Sequence, residues 1–555
     1  AVETTSSARM AAQRVTAFFL SRFQIFSMSG VQQTTDNDTP YTRGEDSGQN
    51  QWTWQHYNAA VGYDGTFGRH VVSASAGILY NIYKTDFSQN GAAGKMVEYR
   101  HMTVNGAVNY AYDDRYVATF SFAADGSDNY RPGNRWGFYP SLGLGWIVSR
   151  ERFLRDSRTV DLLKLRASVG KNGWDPMGEV RYPWEGYYTG RGGLNTGNSE
   201  HTWHGGTALS YLPNPGIFAE KSLKYDAGID LRLWNRLSLN VDLFLEKRSG
   251  IVTQDWMIPG ASGVDNPPYR NIGRMTNKGF EVQLSWADRI GDFNYALTGM
   301  ASYNSNKVDY MAEVVTVPTA ARTGRRLDAL FGYVADGFYD WDDFDVGGEL
   351  REGLPKPTFG AVQPGDIKYK NLNGDTVIDE NDQTAIGDSY LPKLQYSFSL
   401  AASYKGFDLF ALFQGAAGRD VNLLDAPLQN IAFRDNGNVY GIAEGRWAYY
   451  PEQGIDTRAT ATYPRLSLQD NSNNYRNSTL WKRSGDFLKL RNVELGYTFA
   501  QPSLSKAGIS KIRIYLSGVN LLTVSKLMRD YDIDPEILSG HPALKSYNLG
   551  LTVTF

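Results

Sequence analysis

Leu223-Lys224-Tyr225-Asp226-Ala227-Gly228-Ile229-Asp230-Leu231-Arg232-Leu233 and, beyond Trp234-Asn235-Arg236, Leu237-Ser238-Leu239-Asn240-Val241-Asp242-Leu243-Phe244-Leu245-Glu246 decide the fold. Successive side chains of a β-strand point to opposite faces. Period two therefore gathers Leu223, Tyr225, Ala227, Ile229, Leu231 and Leu233 on one face, and Lys224, Asp226, Asp230 and Arg232 on the other. The return strand repeats the pattern, less cleanly at Phe244 and Glu246. The pattern predicts a two-stranded antiparallel hairpin with one apolar and one polar face. Each strand is about ten residues long, the length a tilted strand needs to cross the hydrocarbon core of a bilayer.

The pattern recurs. Tyr57 to Tyr63, Val71 to Tyr80, Val104 to Tyr112, Tyr116 to Phe122, Leu142 to Val148 and Leu163 to Val169 all alternate, and a short helical connector, Glu151 to Arg158, joins the last two. Phe280 to Trp286, Phe293 to Ala301, Leu394 to Ala402, Phe407 to Phe413, Val493 to Phe499, Ile512 to Leu516 and Tyr547 to Phe555 follow. Template matching predicts about fifteen strands, with one more in Phe18–Met28. The connections at 113–115, 234–236, 288–292 and 405–406 are short. Those on the other side run to roughly 30 residues after Glu246, 50 after Gly170, 70 after Gly415 and 90 after Asn304. Short turns on one rim and long loops on the other are the arrangement of an outer-membrane barrel, apolar toward lipid and polar toward a lumen. The alternative is a large soluble β protein. The perfect alternation Tyr547-Asn548-Leu549-Gly550-Leu551-Thr552-Val553-Thr554-Phe555 reads as a barrel's last strand.

Composition agrees. Tyr 35, Phe 26 and Trp 13 among 555 residues supply interfacial aromatics. Mean hydropathy is only -0.42, as expected when half of each strand is polar. No run of eighteen apolar residues predicts a membrane helix. A net charge of -3 argues against a nucleic-acid partner. With Cys 0, disulfides and thiolate metal sites are excluded. Ala1 to Val15 lacks the layout of a signal peptide, so the start reads as mature or internal.

Several blocks then carry a resemblance. Phe122-Ala123-Ala124-Asp125-Gly126-Ser127, Asn134-Arg135-Trp136-Gly137-Phe138-Tyr139-Pro140-Ser141-Leu142, Leu163-Lys164-Leu165-Arg166-Ala167-Ser168-Val169-Gly170 and Asn277-Lys278-Gly279-Phe280-Glu281 come first. Tyr463-Pro464-Arg465-Leu466, Leu488-Lys489-Leu490-Arg491-Asn492-Val493-Glu494-Leu495-Gly496-Tyr497, Val519-Asn520-Leu521-Leu522-Thr523 and Tyr531-Asp532-Ile533-Asp534-Pro535-Glu536 follow in order. Together they resemble the SusC/RagA-type TonB-dependent transporters of the Bacteroidetes outer membrane. The resemblance implies an all-β, transmembrane antiparallel β-barrel of 22 strands around a plug. It also implies a TonB box that couples the plug to inner-membrane energy, a SusD-like surface lipoprotein as lid, and import of oligosaccharides or peptides, by one such pair or a dimer of pairs. No plug or TonB box is recognisable, so the expectation is the C-terminal part of a longer polypeptide. Residues 1–30 are left unassigned and 31–555 are assigned to the barrel. The rival function is a structural subunit of an outer-membrane assembly or secretion complex. An enzyme is not expected, because G-x-S-x-G, H-E-x-x-H and P-loop patterns are absent.

One segment has ligand spacing. Asn371, Asn373, Asp375, Asp379 and Asp382, with the Val377 carbonyl, fall at the oxygen positions of a twelve-residue calcium loop. Asn371 at the first position, Thr376 in place of glycine and Asp382 in place of bidentate glutamate depart from it. The alternative is a turn held by Asx hydrogen bonds. Loop aromatics Trp174, Trp184, Tyr187, Tyr188, Trp203, Trp256, Trp341, Tyr449 and Tyr450 are candidates for stacking on sugars, or for ordinary packing. Lumen-facing Lys164, Arg166, Lys224, Asp226, Asp230 and Arg232 line a path or form ion pairs. Asp340, Asp342, Asp343 and Asp345 read as a solvated loop, and His201 with His204 lacks a third zinc ligand.

Overall fold

The structure is a computed structural model that describes residues 11–12, 15–16, 18–20, 24–32, 48–87, 95–175, 182–186, 188–196, 202–209, 211–259, 266–315, 317–425, 431–433, 438–468, 471–499 and 508–555. Its long strands belong to an antiparallel barrel sheet. The chain divides into two units: Ala1–Ser157, Leu162–Ile229 and Phe244–Met275, and Arg158–Asp161, Asp230–Leu243 and Thr276–Phe555.

In the first unit β1 (Gln24–Gln32), β2 (Gly48–Phe67), β3 (His70–Phe87), β4 (Lys95–Tyr112), β5 (Tyr116–Ser127), β6 (Trp136–Ile147) and β7 (Val160–Trp174) follow one another. Each pairs antiparallel with the next. A short strand, Phe18–Leu20, also pairs with β2. The register from Trp52↔Thr85 to Phe67↔His70 runs without a slip, which fixes every side chain's face. The connector after β6 is a 3-10 turn, Val148–Arg150, and a single α-type turn in which Arg155 N–H donates to the Glu151 carbonyl at 2.8 Å. The expected helix is thus one turn long: Ser157 N–H already bonds back only three residues, to Leu154.

β8 (Glu220–Leu233), β9 (Leu237–Gln254) and β10 (Tyr269–Ile290) pass from one unit to the other. The second unit continues with β11 (Phe293–Tyr310), β12 (Leu394–Tyr404), β13 (Phe407–Ala417), β14 (Phe487–Phe499), β15 (Lys511–Ser525) and β16 (Ser546–Thr554), again paired in sequence. Short turns use left-handed backbone. Asp113 and Asp114 (φ 52° and 54°), Trp234 and Asn235 (54° and 52°), and Lys405 and Gly406 (46° and 89°) match the twist of the flanking strands.

The apolar strand residues are exposed. Leu144 is 55% and Leu549 79% accessible, and Leu142, Trp146, Leu223, Tyr225, Ile229, Leu495 and Leu516 are exposed with them. The buried core lies elsewhere. Tyr333, Ile367, Tyr369, Ile378, Val421, Leu423, Ala432, Ala443, Tyr463, Trp481, Leu527 and Ile533 form one cluster, and none belongs to a wall strand. They come from the three long connections of the second unit, 311–393, 418–486 and 526–545. The strands also run further than a minimal bilayer transit: β9 reaches Gln254, so the loop before β10 is shorter than the sequence suggested.

Candidate functional site

The polar face of the second unit's strands carries a cavity of about 340 Å³. Asn240 and Asp242 of β9, Glu281 and Gln283 of β10, Ser302 of β11, Gln395 and Ser397 of β12 and Gln414 of β13 line it. Alternation puts them there, because Phe280 and Leu284 occupy the opposite, exposed face. Ser302 donates to Glu281 at 3.2 Å. The wall is anionic and rich in amides, so it can hydrogen-bond a polar ligand or a polar segment of protein. In the first unit, Arg166 and Asp226 stand 3.5 Å apart, an ion pair between two of the six charges expected to face the lumen.

At the loop end of β14, charge is concentrated further. A bulge at Arg491, opposite Asn520 in the left-handed region (φ 54°), keeps Lys489, Arg491 and Asn492 on the polar face. Lys489, 1% exposed, donates to both Asp534 oxygens at 2.8 and 2.9 Å and to Glu536 at 2.7 Å. Arg491 donates to Glu536, to Gln414 at 2.9 Å and to Asn520 at 3.2 Å. Burial pushes the Asp534 carboxyl up, but the Lys489 ammonium and the Glu536 and Ile537 N–H donors outweigh it and hold it below the usual range. Glu536 is likewise pushed up by burial and held down by Arg491 and Lys489. This cluster ties the 526–545 loop to the wall. The sequence displayed all four residues, but nothing local shows that residues 45 apart would meet.

The loops have a polar centre too. Asp366 is fully buried, and the amides of Asn471 and Asn474 each donate to its Oδ1 at 2.9 Å. Gln363 N–H donates to its Oδ2 at 2.8 Å, and Arg465 Nε lies 2.7 Å away. Trp481 Nε1 donates to the Asn474 carbonyl at 2.7 Å, and its ring meets Tyr463 edge-on at 5.5 Å. Loops joined in this way present a fixed surface.

The five spaced side chains at 371–382 each accept a backbone hydrogen bond. Asn371 Oδ1 accepts from Gly374 N–H at 2.6 Å, Asn373 Oδ1 from Asp375 N–H at 3.0 Å, and Asp375 Oδ1 from Val377 N–H at 2.8 Å. Asp379 and Asp382 cap the short 3-10 turn Glu380–Asp382, and Asp382 also accepts from Leu372 N–H at 2.7 Å. Among the described residues, no three His, Cys, Asp or Glu side chains gather as a metal cage.

The remaining candidates separate. Asp340 and Asp343 form a capping box on Trp341–Asp343, and Asp343 pairs with Lys368 at 3.0 Å. Asp345 accepts from Gly347 and Glu349 N–H, while Asp342 is exposed beside them. Trp174, Tyr188, Trp203, Trp256, Trp341 and Tyr450 are exposed. Trp184 meets Tyr182 edge-on, and Tyr449 lies under the Arg458 guanidinium at 3.9 Å. His204 bonds Thr196 at 2.8 Å, whereas Tyr187 and His201 lie outside the described residues.

Residues 11–521 match the family described as TonB dependent receptor-like, beta-barrel. TonB-dependent receptor P3 of Formosa agariphila is 26% identical, over 89% of this chain and 51% of its own length. TonB-dependent receptor SusC of Bacteroides thetaiotaomicron is 24% identical, over 81% of this chain and 43% of its own length. The solved structure of the RagAB peptide importer in its open-open state superposes with a TM-score of 0.69 at 20% identity, covering 91% of this chain and 55% of that one. The chain spans about half the length of the curated relatives it matches. It belongs to the TonB-dependent receptor-like β-barrel family of the outer membrane, with SusC among its relatives and its fold shared with the RagAB structure.

Proposed function

We propose that this chain is the barrel part of a TonB-energised importer of large polar nutrients, oligosaccharides or peptides. A SusD-like lipoprotein lid closes over its loops. The observation that carries this reading is the pairing of an anionic, amide-rich inner wall with loops that share a core of their own. A channel that only leaked would gain nothing from loops built as a fixed surface; a receptor needs one, because preorganised contacts spend less entropy on capture. Loops and lid hold the ligand, energised displacement of a plug opens the path, and no covalent chemistry is involved. Uptake of a labelled oligosaccharide or peptide mixture by whole cells tests this. Uptake that stops when TonB is deleted and when Trp481 is replaced supports import. Unchanged uptake, with co-purification of several barrel-assembly factors, supports the assembly-subunit reading instead.

We propose the 371–382 loop as a structural calcium site, on the order of its oxygen ligands alone. Its hydrogen-bonded Asx turns are the competing account. Isothermal titration with calcium that shows no heat would decide for the turns.

A further inference from the structure

On the apolar face of the first unit, Tyr110, Tyr116, Leu144, Trp146 and Leu165 surround a floor of Ala118 and Ala167. The groove holds about 420 Å³. It lies at the short-turn rim, which in this architecture faces the periplasm: Tyr116 pairs with Tyr112 across the turn at 113–115, and with Trp146 on β6. Two of its walls are pinned. Tyr116 Oη donates to Glu151 Oε1 at 2.5 Å and Trp146 Nε1 to the same oxygen at 3.1 Å. Glu151 in turn accepts from Arg115 at 3.2 Å. Aromatic rings fixed by their polar tips mark the height of the membrane interface.

The connector that supplies Glu151 continues as Arg152-Phe153-Leu154-Arg155. Phe153 is 72% exposed, an apolar ring at the height where the aromatic residues of a barrel meet the membrane interface. Arg152 is exposed and has no ion-pair partner among the described residues. Among the described residues Arg150 and Arg155 reach only exposed aspartates, Asp114 at 3.5 Å and Asp156 at 3.8 Å, pairs too solvated to hold them. An apolar slot on a lipid-facing wall is thus tied through Glu151 to a connector that carries an exposed ring and three exposed guanidiniums. A protein helix would not need the cations, and a free anion would not need the slot.

We propose that this rim binds one anionic phospholipid of the periplasmic leaflet. An acyl chain lies in the groove over Ala118 and Ala167. The phosphate sits at Arg152 with Arg150 and Arg155 beside it, and Phe153 inserts at the level of the glycerol. The site is independent of what the barrel imports.

Native mass spectrometry of the intact protein, released from detergent micelles after titration with palmitoyl-oleoyl phosphatidylglycerol or phosphatidylethanolamine, tests it. The wild type should retain one phosphatidylglycerol, about fivefold over phosphatidylethanolamine or more, since each cation near an anionic headgroup contributes on that scale. Arg150→Gln/Arg152→Gln/Arg155→Gln should bind both lipids equally. Ala118→Trp/Ala167→Trp, which fills the slot, should lose the adduct. The glutamine variant changes exposed side chains only, so the lipid ratio decides even where the tryptophan variant fails to fold. Equal retention of both lipids by the wild type would overturn the proposal, as would an unchanged ratio in the glutamine variant. Displacement of the lipid by millimolar inorganic phosphate would overturn it as well.

Discussion

Replacing Trp481 with alanine should unfold the loops and leave the wall standing. Trp481 is 1% exposed, packs edge-on against Tyr463 and lies 5.9 Å from Tyr475. Burying such a ring removes roughly 200 Å² from water, worth about 5 kcal/mol at the usual area coefficient. Aromatic-to-alanine changes in cores cost about 3–5 kcal/mol. The Asn474 carbonyl would also lose its indole donor, adding about 1 kcal/mol or more. A total of about 4–6 kcal/mol is comparable with the whole stability of a small domain. It falls on a cluster that contains no wall residue. Hydrogen exchange should therefore accelerate at least about a thousandfold in the peptides spanning 366–378 and 463–481, since 1.4 kcal/mol is tenfold. The β12–β13 peptides should keep their protection. Loop protection that survives the substitution, or wall strands that lose as much as the loops, would refute the claim of a separate loop core.

Further outcomes follow from the same geometry. Asp366→Asn should lower loop stability by about 3–5 kcal/mol, because it strands the Arg465 charge beside a buried amide; thermal melting followed by loop proteolysis measures it. Lys489→Met should cost a similar amount at pH 7, since Asp534 and Glu536 lose their cation. Both folded carboxyls titrate below their unfolded values, so the stabilisation is present above about pH 4 and is lost as pH falls through the folded values. Wild-type and Lys489→Met stabilities should accordingly converge on acidification, and a gap that does not narrow as the pH falls below about 4 would contradict the assignment. Gly365→Ala should destabilise the loops by about 1–3 kcal/mol. Gly365 has φ +89°, and a Cβ there would lie 2.5 Å from Trp447 and 2.8 Å from Arg465, so unaltered melting would count against this packing.

The wall was legible in the sequence because its information is local. Leu223 to Leu245 needs no partner to declare its faces, and the left-handed residues at 113–114 and 405–406 mark their own turns. The loop core was not legible. Ile367, Tyr463, Trp481 and Leu527 are drawn from three connections without periodicity, and they lie up to about 160 positions apart in the chain. The acidic run at 340–345 illustrates the same limit. Its composition suggests solvation, but Asp343 is spent on a cap and on Lys368. At 371–382 the sequence order of oxygens suits calcium equally well as turns, because both uses require Asn and Asp at alternating positions.

The central claim is that alternate residues of these strands face lipid and lumen. The chain has Cys 0, so single cysteines can be placed along β6 without background labelling. Spin labels at Leu142 and Leu144 in liposomes should collide with oxygen dissolved in the hydrocarbon. Labels at Ser141, Gly143 and Gly145 should collide with a water-soluble nickel chelate. Strict alternation along β6 is the expected result, and oxygen accessibility that fails to change sign from one residue to the next would contradict the account.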